Sequence, residues 1–181
     1  MPDHNHAYPQ LARLTIAAHL QGVSPPTESD IKALSPDQSV WSPQKGCFVS
    51  IKNKNGSLRG CIGTFIPTRE NVCQEIMANA VSAAVRDPRF PPMREEELEN
   101  VIISVDILNA PERVQPGMSL DPEVFGVIVA KSGRRGLLLP ALEGVTSVEQ
   151  QLGIAAQKAG INDLEGAEIY RFTVTRYPEK A

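Results

Sequence analysis

The sequence predicts an α+β fold in which a mainly antiparallel sheet is flanked by helices. A first β-hairpin is indicated by two strand-like runs, Cys47–Lys52 and Leu58–Phe65, on either side of the turn residues Asn53–Gly56. Helical periodicity follows over Arg69–Arg86, with apolar residues recurring on one side. Hairpins and helices then alternate without a regular strand–helix–strand repeat, an order that favours the α+β class over the α/β class.

A second hairpin is predicted from Phe125–Ala130 and Gly136–Pro140, joined by the turn Lys131–Arg134. The almost continuously apolar run Val101–Leu108 predicts a central strand, since a strand buried on both faces does not alternate. The remaining predicted elements are helices over Gln10–Leu20 and Ser147–Ala159, a short acidic helix over Glu95–Glu99 and a final strand over Glu168–Thr175.

Two stretches rich in proline and polar residues, Gly22–Pro43 and Pro111–Pro122, are predicted to be irregular. In the helix before Ala159, Ser147 is a predicted N-cap and Gln150 stands at the capping-box position. Gly160 follows the predicted end, where glycine commonly terminates helices.

Length and composition predict a single domain over residues 1–181, with residues 1–9 flexible because they are polar and interrupted by proline. Net charge is −3 and aromatic residues make up 5%, values that argue against a nucleic-acid-binding protein. No apolar run approaches the roughly 18 residues of a membrane span, and the first residues do not read as a secretion signal. These features predict a cytoplasmic protein without a membrane segment.

The three cysteines, Cys47, Cys61 and Cys73, are odd in number and none belongs to a Cys-x-x-Cys pair. A disulfide framework or a closed metal site is therefore not expected, and reduced thiols are the default in a cytoplasm. Cys73 falls within the helix predicted over Arg69–Arg86 and is interpreted as a small core residue. No residue pattern indicates a cofactor.

The segment Leu58–Phe65 contains a cysteine between two glycines. In an extended strand Arg59 and Cys61 would point to the same face, where a guanidinium lowers the pKa of a neighbouring thiol. Cys61 is therefore a candidate thiolate, and Arg59 is its candidate electrostatic partner or an anchor for an anion. Gly60 and Gly63 are candidate binding residues because glycine lets the backbone approach a ligand closely.

These segments resemble the signature of the AMMECR domain. The resemblance lies in Cys47–Ile51 followed by Leu58–Gly63, in Asp87–Pro92, and in the later Leu138–Pro140 and Lys158–Gly160. It extends from the first predicted helix to the last predicted strand. The cysteine at position 47 departs from the family pattern, which usually has a small residue such as alanine there.

In many microbes the AMMECR domain is called AmmeMemoRadiSam system protein A and accompanies a Memo-like protein and a radical-SAM protein. The resemblance therefore implies these two proteins as partners. It also implies a smaller lobe beside the main sheet, with a cleft between the two. It implies no particular reaction, so an enzyme of unknown activity remains open.

Asp87 and Arg89, from the stiff Asp-Pro-Arg-Phe-Pro-Pro segment, complete the candidate site. Asp87 is a candidate acid/base or orienting residue and Arg89 a candidate clamp for a carboxylate or phosphate. Together with Cys61 they suggest a cleft site that binds a small anionic ligand or performs thiol chemistry. No histidine is tied to Cys61 by a motif, so a cysteine–histidine enzyme is not indicated.

Two alternatives remain open at this point. Arg59 and Asp87 would form an ion pair and Cys61 would be small because the sheet is crowded there, in which case the segment is structural. Alternatively, the domain would be a non-catalytic adaptor that presents this face to the Memo-like and radical-SAM partners.

Overall fold

The computed structural model describes residues 7–179, which divide into two compact units. One unit comprises the chain up to Ile107 and again from Thr175, and the other comprises Leu108–Val174. In chain order the elements are α1 (Ala7–Gln21), α2 (Glu28–Leu34), β1 (Cys47–Asn53), β2 (Leu58–Thr64), α3 (Val72–Val85), β3 (Val101–Leu108), β4 (Glu112–Arg113), β5 (Gly126–Lys131), β6 (Arg134–Leu138), α4 (Val148–Lys158), β7 (Glu168–Phe172) and β8 (Val174–Pro178). The mixture of helices and antiparallel sheets confirms the predicted α+β class.

The first unit is built on a four-stranded sheet with the strand order β2-β1-β3-β8. The predicted strand Val101–Leu108 is β3 and lies inside this sheet, as expected. Val49 and Ile51 of β1 are fully buried, as are Ile76 of α3 and Leu11 of α1, and all belong to one core cluster. Because strand side chains alternate, these residues place one face of the sheet against the core, and Ser50 and Lys52 of β1 belong to the other face.

The second unit has a sheet with the strand order β4-β7-β5-β6, covered by α4. Ser147 caps α4 as predicted, since its hydroxyl accepts the Gln150 N–H at 3.1 Å. The predicted hairpin is β5–β6, and its two turn residues, Ser132 and Gly133, have φ values of 51° and 77°. Two successive positive φ values match the right-handed twist of the strands that they join.

The segment Gly22–Pro43 is more regular than predicted. It contains α2, whose first turn is closed by reciprocal hydrogen bonds between Thr27 and Asp30, and a 3-10 turn over Gln38–Val40. The Thr-x-x-Asp spacing was a sequence signal for this helix start, although aspartate replaces the usual glutamate.

The prediction of one continuous final strand over Glu168–Thr175 is wrong. The chain forms β7 in the second sheet and β8 in the first, with Thr173 between them. Thr173 accepts the Asn109 N–H at 3.0 Å through its carbonyl and the Asn109 side chain at 2.9 Å through its hydroxyl. Alternation continues through Thr173 in the sequence, so the pattern gave no sign that the chain changes sheets there.

Two further expectations concern less regular segments. The stretch predicted as irregular over Pro111–Pro122 includes the two-residue strand β4. Of the predicted flexible residues 1–9, residues 1–6 lie outside the described part of the chain, whereas Ala7–Pro9 open α1 and are buried. Within residues 7–179, none of the helices combines the length and the apolar character that crossing a membrane requires.

Candidate functional site

Cys61 lies on the polar face of the first sheet, in a row with two serines. In register, Cys61 of β2 is opposite Ser50 of β1, and Ser50 is opposite Ser104 of β3. The Cys61 Sγ and Ser50 Oγ are 3.1 Å apart. We call these three side chains the hydroxyl–thiol row. On β1, Ser50 alternates with the buried residues Val49 and Ile51, so the row occupies the face opposite the core.

A groove of about 250 Å³ adjoins the row on this face. We call it the sheet-face groove. Its lining residues come from β1, from the turn that follows it, and from β3 and β8: Ser50, Lys52, Asn53, Lys54, Gly56, Ile102, Ser104, Arg176 and Pro178. Lys52 and Lys54 are exposed, and neither has an ion-pair partner in the described part of the chain.

The third cation of the groove, Arg176, is held by a carboxylate. Its Nε and Nη2 donate to the two oxygens of Asp106, each at 2.7 Å, and the Asp106 side chain is buried. This hydrogen bonding to Asp106 raises the pKa of Arg176, with a smaller contribution from Cys61, although burial acts in the opposite direction. Arg176 is therefore a fixed cation whose Nη1 is not engaged by Asp106.

The position of Arg59 differs from the prediction. A register shift between Ile51 and Lys52 leaves Arg59 without an opposite residue on β1. Its guanidinium donates to Glu97 at 2.7 and 3.1 Å and to the Pro91 carbonyl at 3.1 Å. A β-bulge redirects the side chain at the extra residue. Arg59 therefore partners Glu97 rather than the Cys61 thiol, and the alternative ion pair with Asp87 is wrong as well.

Asp87 and Arg89 form hydrogen bonds with the backbone of β2 at its free edge. Asp87 Oδ2 accepts the Cys61 N–H at 2.9 Å, and Arg89 Nη2 donates to the Cys61 carbonyl at 3.2 Å. Arg89 also binds Asp87 through Nε at 2.9 Å and Nη2 at 2.7 Å. The two motif side chains thus satisfy backbone groups that an edge strand otherwise leaves open.

This bonding defines what Asp87 is able to do. Hydrogen bonds from the Arg89 side chain, followed by those from the N–H groups of Cys61 and Arg89, hold the pKa of the Asp87 carboxyl well below its ordinary value, although burial opposes them. A carboxylate that is buried and accepts several hydrogen bonds is a poor proton acceptor at neutral pH. Of its two predicted roles, the geometry favours the orienting one.

Packing accounts for both glycines of the motif. A Cβ at Gly60 would collide with the carbonyl oxygen of Ala83 in α3, and a Cβ at Gly63 would collide with the ring of Phe48. The two glycines predicted that another group comes close to the backbone here. That group is the helix α3 at Gly60 and an aromatic side chain at Gly63. Neither contact needs a ligand.

Cys61 is the one partly exposed thiol among the three cysteines. Burial is the main reason that the pKa of Cys47 is raised to about 12 and that of Cys73 to about 11. Both buried thiols are protonated at neutral pH. Cys73 belongs to the core cluster of the first unit, which confirms it as a core residue. No cluster of His, Cys, Asp or Glu within residues 7–179 has the arrangement of a metal site.

Sequence reasoning missed most of the groove. Ser50 and Lys52 were visible as the polar positions of the alternating strand β1, and that signal could have marked its outward face. Ser104 and Arg176 carried no such signal, because β3 reads as an apolar run and the pairing of β8 with β3 is not encoded locally.

Comparison with known proteins identifies the family. A family model described as AMMECR1 matches residues 9–177. The chain belongs to the AMMECR1 family. A protein of Thermotoga maritima is 52% identical over 151 residues, which cover 81% of this chain and 87% of the relative. A Methanosarcina acetivorans protein is 39% identical over 181 residues, covering 94% of this chain and 89% of the relative.

Other AMMECR1-type matches show different coverage. A Clostridium acetobutylicum protein is 48% identical over 136 residues, covering 75% of this chain but 29% of that longer protein. The crystal structure of an uncharacterized protein from Pyrococcus horikoshii has a TM-score of 0.80 at 27% identity and covers 98% of this chain and 92% of its own. The AMMECR1 fold therefore extends over both units.

Proposed function

We propose that this AMMECR1-family protein binds a small anionic ligand in the sheet-face groove, next to Cys61. The observation that carries the proposal is the pair of exposed cations, Lys52 and Lys54, which lack an ion-pair partner in the described chain and line the same groove as Arg176. The chain as a whole has a net charge of −3, so this positive surface contrasts with its background. Cations without a counter-charge, placed beside hydroxyl donors, favour the binding of anions.

Binding, rather than thiol catalysis, is the function that the geometry supports. The Cys61 thiol contacts the Ser50 hydroxyl, and no histidine, lysine or carboxylate among residues 7–179 forms a hydrogen bond with its sulfur. The usual thiol mechanism needs a base within reach that takes up the proton. The role of Cys61 in this proposal is to lie against the bound ligand.

Cys61 also supplies the experiment, because the other two thiols are buried. The rate of alkylation by iodoacetamide is measured with and without a panel of small anions, using glycerol as a neutral control. We expect at least one anion to slow the alkylation of Cys61 in a saturable manner. Loss of this protection in Lys52→Ala, but not in Lys32→Ala, would assign it to the groove, since Lys32 lies on α2 and pairs with Glu28.

The opposite outcome is equally specific. Alkylation that no anion slows, at concentrations up to tens of millimolar, would reject the proposal. Protection that persists in Lys52→Ala and in Arg176→Ala would place the anion elsewhere and would also reject it.

A role in an AmmeMemoRadiSam system, beside Memo-like and radical-SAM proteins, is a second proposal. It is implied by the AMMECR resemblance, and one feature of the surface favours it. Leu58, which begins the edge strand β2, and Ile66, two residues after its end, have exposed fractions of 36% and 59%. Exposed apolar residues at a sheet edge are typical of contact surfaces. Co-purification of the three proteins tests the proposal, with Ile66→Asp expected to reduce the complex; no complex at any concentration would reject it.

A further inference from the structure

The charges of the sheet-face groove do not cancel. Three cations line it, Lys52, Lys54 and Arg176, whereas Asp106 is the carboxylate that pairs with one of them. Two positive charges are thus left without a counter-charge from the residues in contact with the groove. A ligand with two negative charges would neutralise them, whereas a monoanion would leave one cation unpaired.

The donors around the groove favour a particular shape of dianion. Ser50 and Ser104 are opposite each other on neighbouring strands, so their side chains lie about 5 Å apart at Cβ. Each lysine ammonium brings three N–H donors, and Arg176 retains Nη1 after binding Asp106. These donors come from three strands and a turn, and they border the same groove. A tetrahedral group with three terminal oxygens uses such an arrangement more fully than a planar carboxylate.

The size and walls of the groove limit the rest of the ligand. At about 250 Å³ it is smaller than the roughly 300–1,000 Å³ typical of pockets for drug-sized molecules. Its apolar walls are Ile102 and Pro178, and its lining has no aromatic side chain on which a base could stack. These features fit a phosphate group on a few carbon atoms and argue against a nucleotide.

We infer that the ligand of this groove is a small phosphate monoester, recognised as a dianion by Lys52, Lys54 and Arg176 with the hydroxyls of Ser50 and Ser104. The inference rests on the proposed function and names its ligand class. Lys52 and Lys54 set the charge preference, and Arg176, fixed by Asp106, sets the orientation of the phosphate.

The second ionisation of the phosphate provides the test, because it occurs near pH 6. Binding of methyl phosphate to the full chain is measured by calorimetry between pH 5 and pH 7.5, together with inorganic sulfate, dimethyl phosphate, succinate and acetate. We expect methyl phosphate affinity to rise about tenfold over this range as the dianion forms. Sulfate, a tetrahedral dianion throughout, should bind at every pH with little change, and dimethyl phosphate, a monoanion, should bind at least tenfold more weakly than methyl phosphate at pH 7.5.

Variants separate the groove from general charge effects. Lys52→Ala and Lys54→Ala should each weaken methyl phosphate binding several-fold and reduce the preference over dimethyl phosphate, whereas Lys32→Ala should change neither. Circular dichroism verifies that each variant is folded. Equal weakening by Lys32→Ala would mean that net charge rather than the groove governs binding, and the inference would be lost.

The anion panel distinguishes failure of this inference from failure of the proposed function. If acetate or succinate binds as tightly as methyl phosphate and protects Cys61 from alkylation, the protein binds anions but the phosphate class is wrong. If none of the anions binds or protects Cys61, both proposals fail. Tight binding of methyl phosphate that does not vary between pH 5 and pH 7.5 would overturn recognition of the dianion.

Discussion

In both units, the hairpin packs a glycine against a helix on one face. The two hairpins differ in the residues on their other face. In the first unit, Gly60 of β2 lies against the carbonyl oxygen of Ala83 in α3; in the second, Gly136 of β6 lies against the carbonyl oxygen of Ala155 in α4. At each position a Cβ would collide with helix backbone. Glycine in the second strand of each hairpin therefore allows an alanine-bearing helix to approach the sheet closely.

The opposite faces of the hairpins show where the units differ. In β5–β6 the face turned away from α4 carries Ile128 opposite Leu137, and Ile128 is buried. In β1–β2 the corresponding face carries Ser50 opposite Cys61, with Lys52 further along. The glycine common to both hairpins is explained by helix packing, so it does not mark a site. The polar outer face is what distinguishes the first hairpin.

The largest expected effect on stability comes from replacing the glycine that packs against a helix in each hairpin. Gly60→Ala and Gly136→Ala should each lower the free energy of unfolding by about 3 kcal/mol, at the upper end of overpacking effects, because the colliding atom belongs to helix backbone and not to a flexible side chain. Urea denaturation measures the loss. Gly153→Ala is the matched control: its Cβ would meet open space in the interior of α4, so it should stabilise by about 0.5–1 kcal/mol. A Gly60→Ala variant as stable as the parent would mean that the glycine is not kept for packing.

The next effect tests whether the motif arginines are structural. The Arg59 side chain is 10% exposed and the Arg89 side chain 55%. Arg59→Ala removes three hydrogen bonds and leaves Glu97 with only the backbone N–H and the more distant guanidinium of Arg94, so we expect a loss of about 2 kcal/mol. Arg89→Ala should cost less, because the Arg89 charge is largely solvated and the buried Asp87 carboxylate keeps its hydrogen bonds from the N–H groups of Cys61 and residue 89. Equal losses from the two substitutions would contradict this ranking, and thermal unfolding of both variants decides it.

A smaller, pH-dependent effect concerns Asp87. Its pKa in the folded protein is held below the ordinary value of about 3.9. A lowered folded-state pKa stabilises the fold fully above the unfolded value, and the stabilisation is lost as the pH falls through the folded value. The free energy of unfolding of the parent should therefore exceed that of Asp87→Asn by about 1–2 kcal/mol at pH 7. This difference should become smaller below pH 4. Urea denaturation of both proteins at pH 7, 4 and 2.5 measures the difference. A difference that does not change with pH would show that the charge of Asp87 does not stabilise the fold.

The smallest expected effect on stability comes from the outer face of the first hairpin. Lys52→Ala removes an exposed side chain that has no ion pair within residues 7–179, so the free energy of unfolding should change by less than about 0.5 kcal/mol. In Lys52→Ala, anions should nevertheless no longer slow the alkylation of Cys61 by iodoacetamide. A large loss of stability would show that Lys52 supports the fold, and the contrast between the two hairpins would then no longer separate packing from binding.

Local patterns predicted most of the elements but few of their contacts. The hairpin β1–β2 followed from its alternating strands and its Asn-Gly turn, and α4 followed from its periodicity and its Ser147 cap. The partner of Arg59 could not be predicted in the same way, because a one-residue register shift decides it. Likewise, the change of sheet at Thr173 leaves no mark on the alternation of Glu168–Thr175.

For Leu58–Phe65 the division is specific. The sequence by itself determined that the segment is the second strand of a hairpin and that it belongs to the AMMECR pattern, because turn chemistry and periodicity act over a few residues. Only the tertiary structure decided that Gly60 faces a helix, that Asp87 and Arg89 hold the backbone of Cys61, and that Ser104 and Arg176 complete a groove beside it. The residues brought together in this way are 23 to 115 positions apart in the sequence, so their pairing depends on packing and strand order rather than on any local propensity.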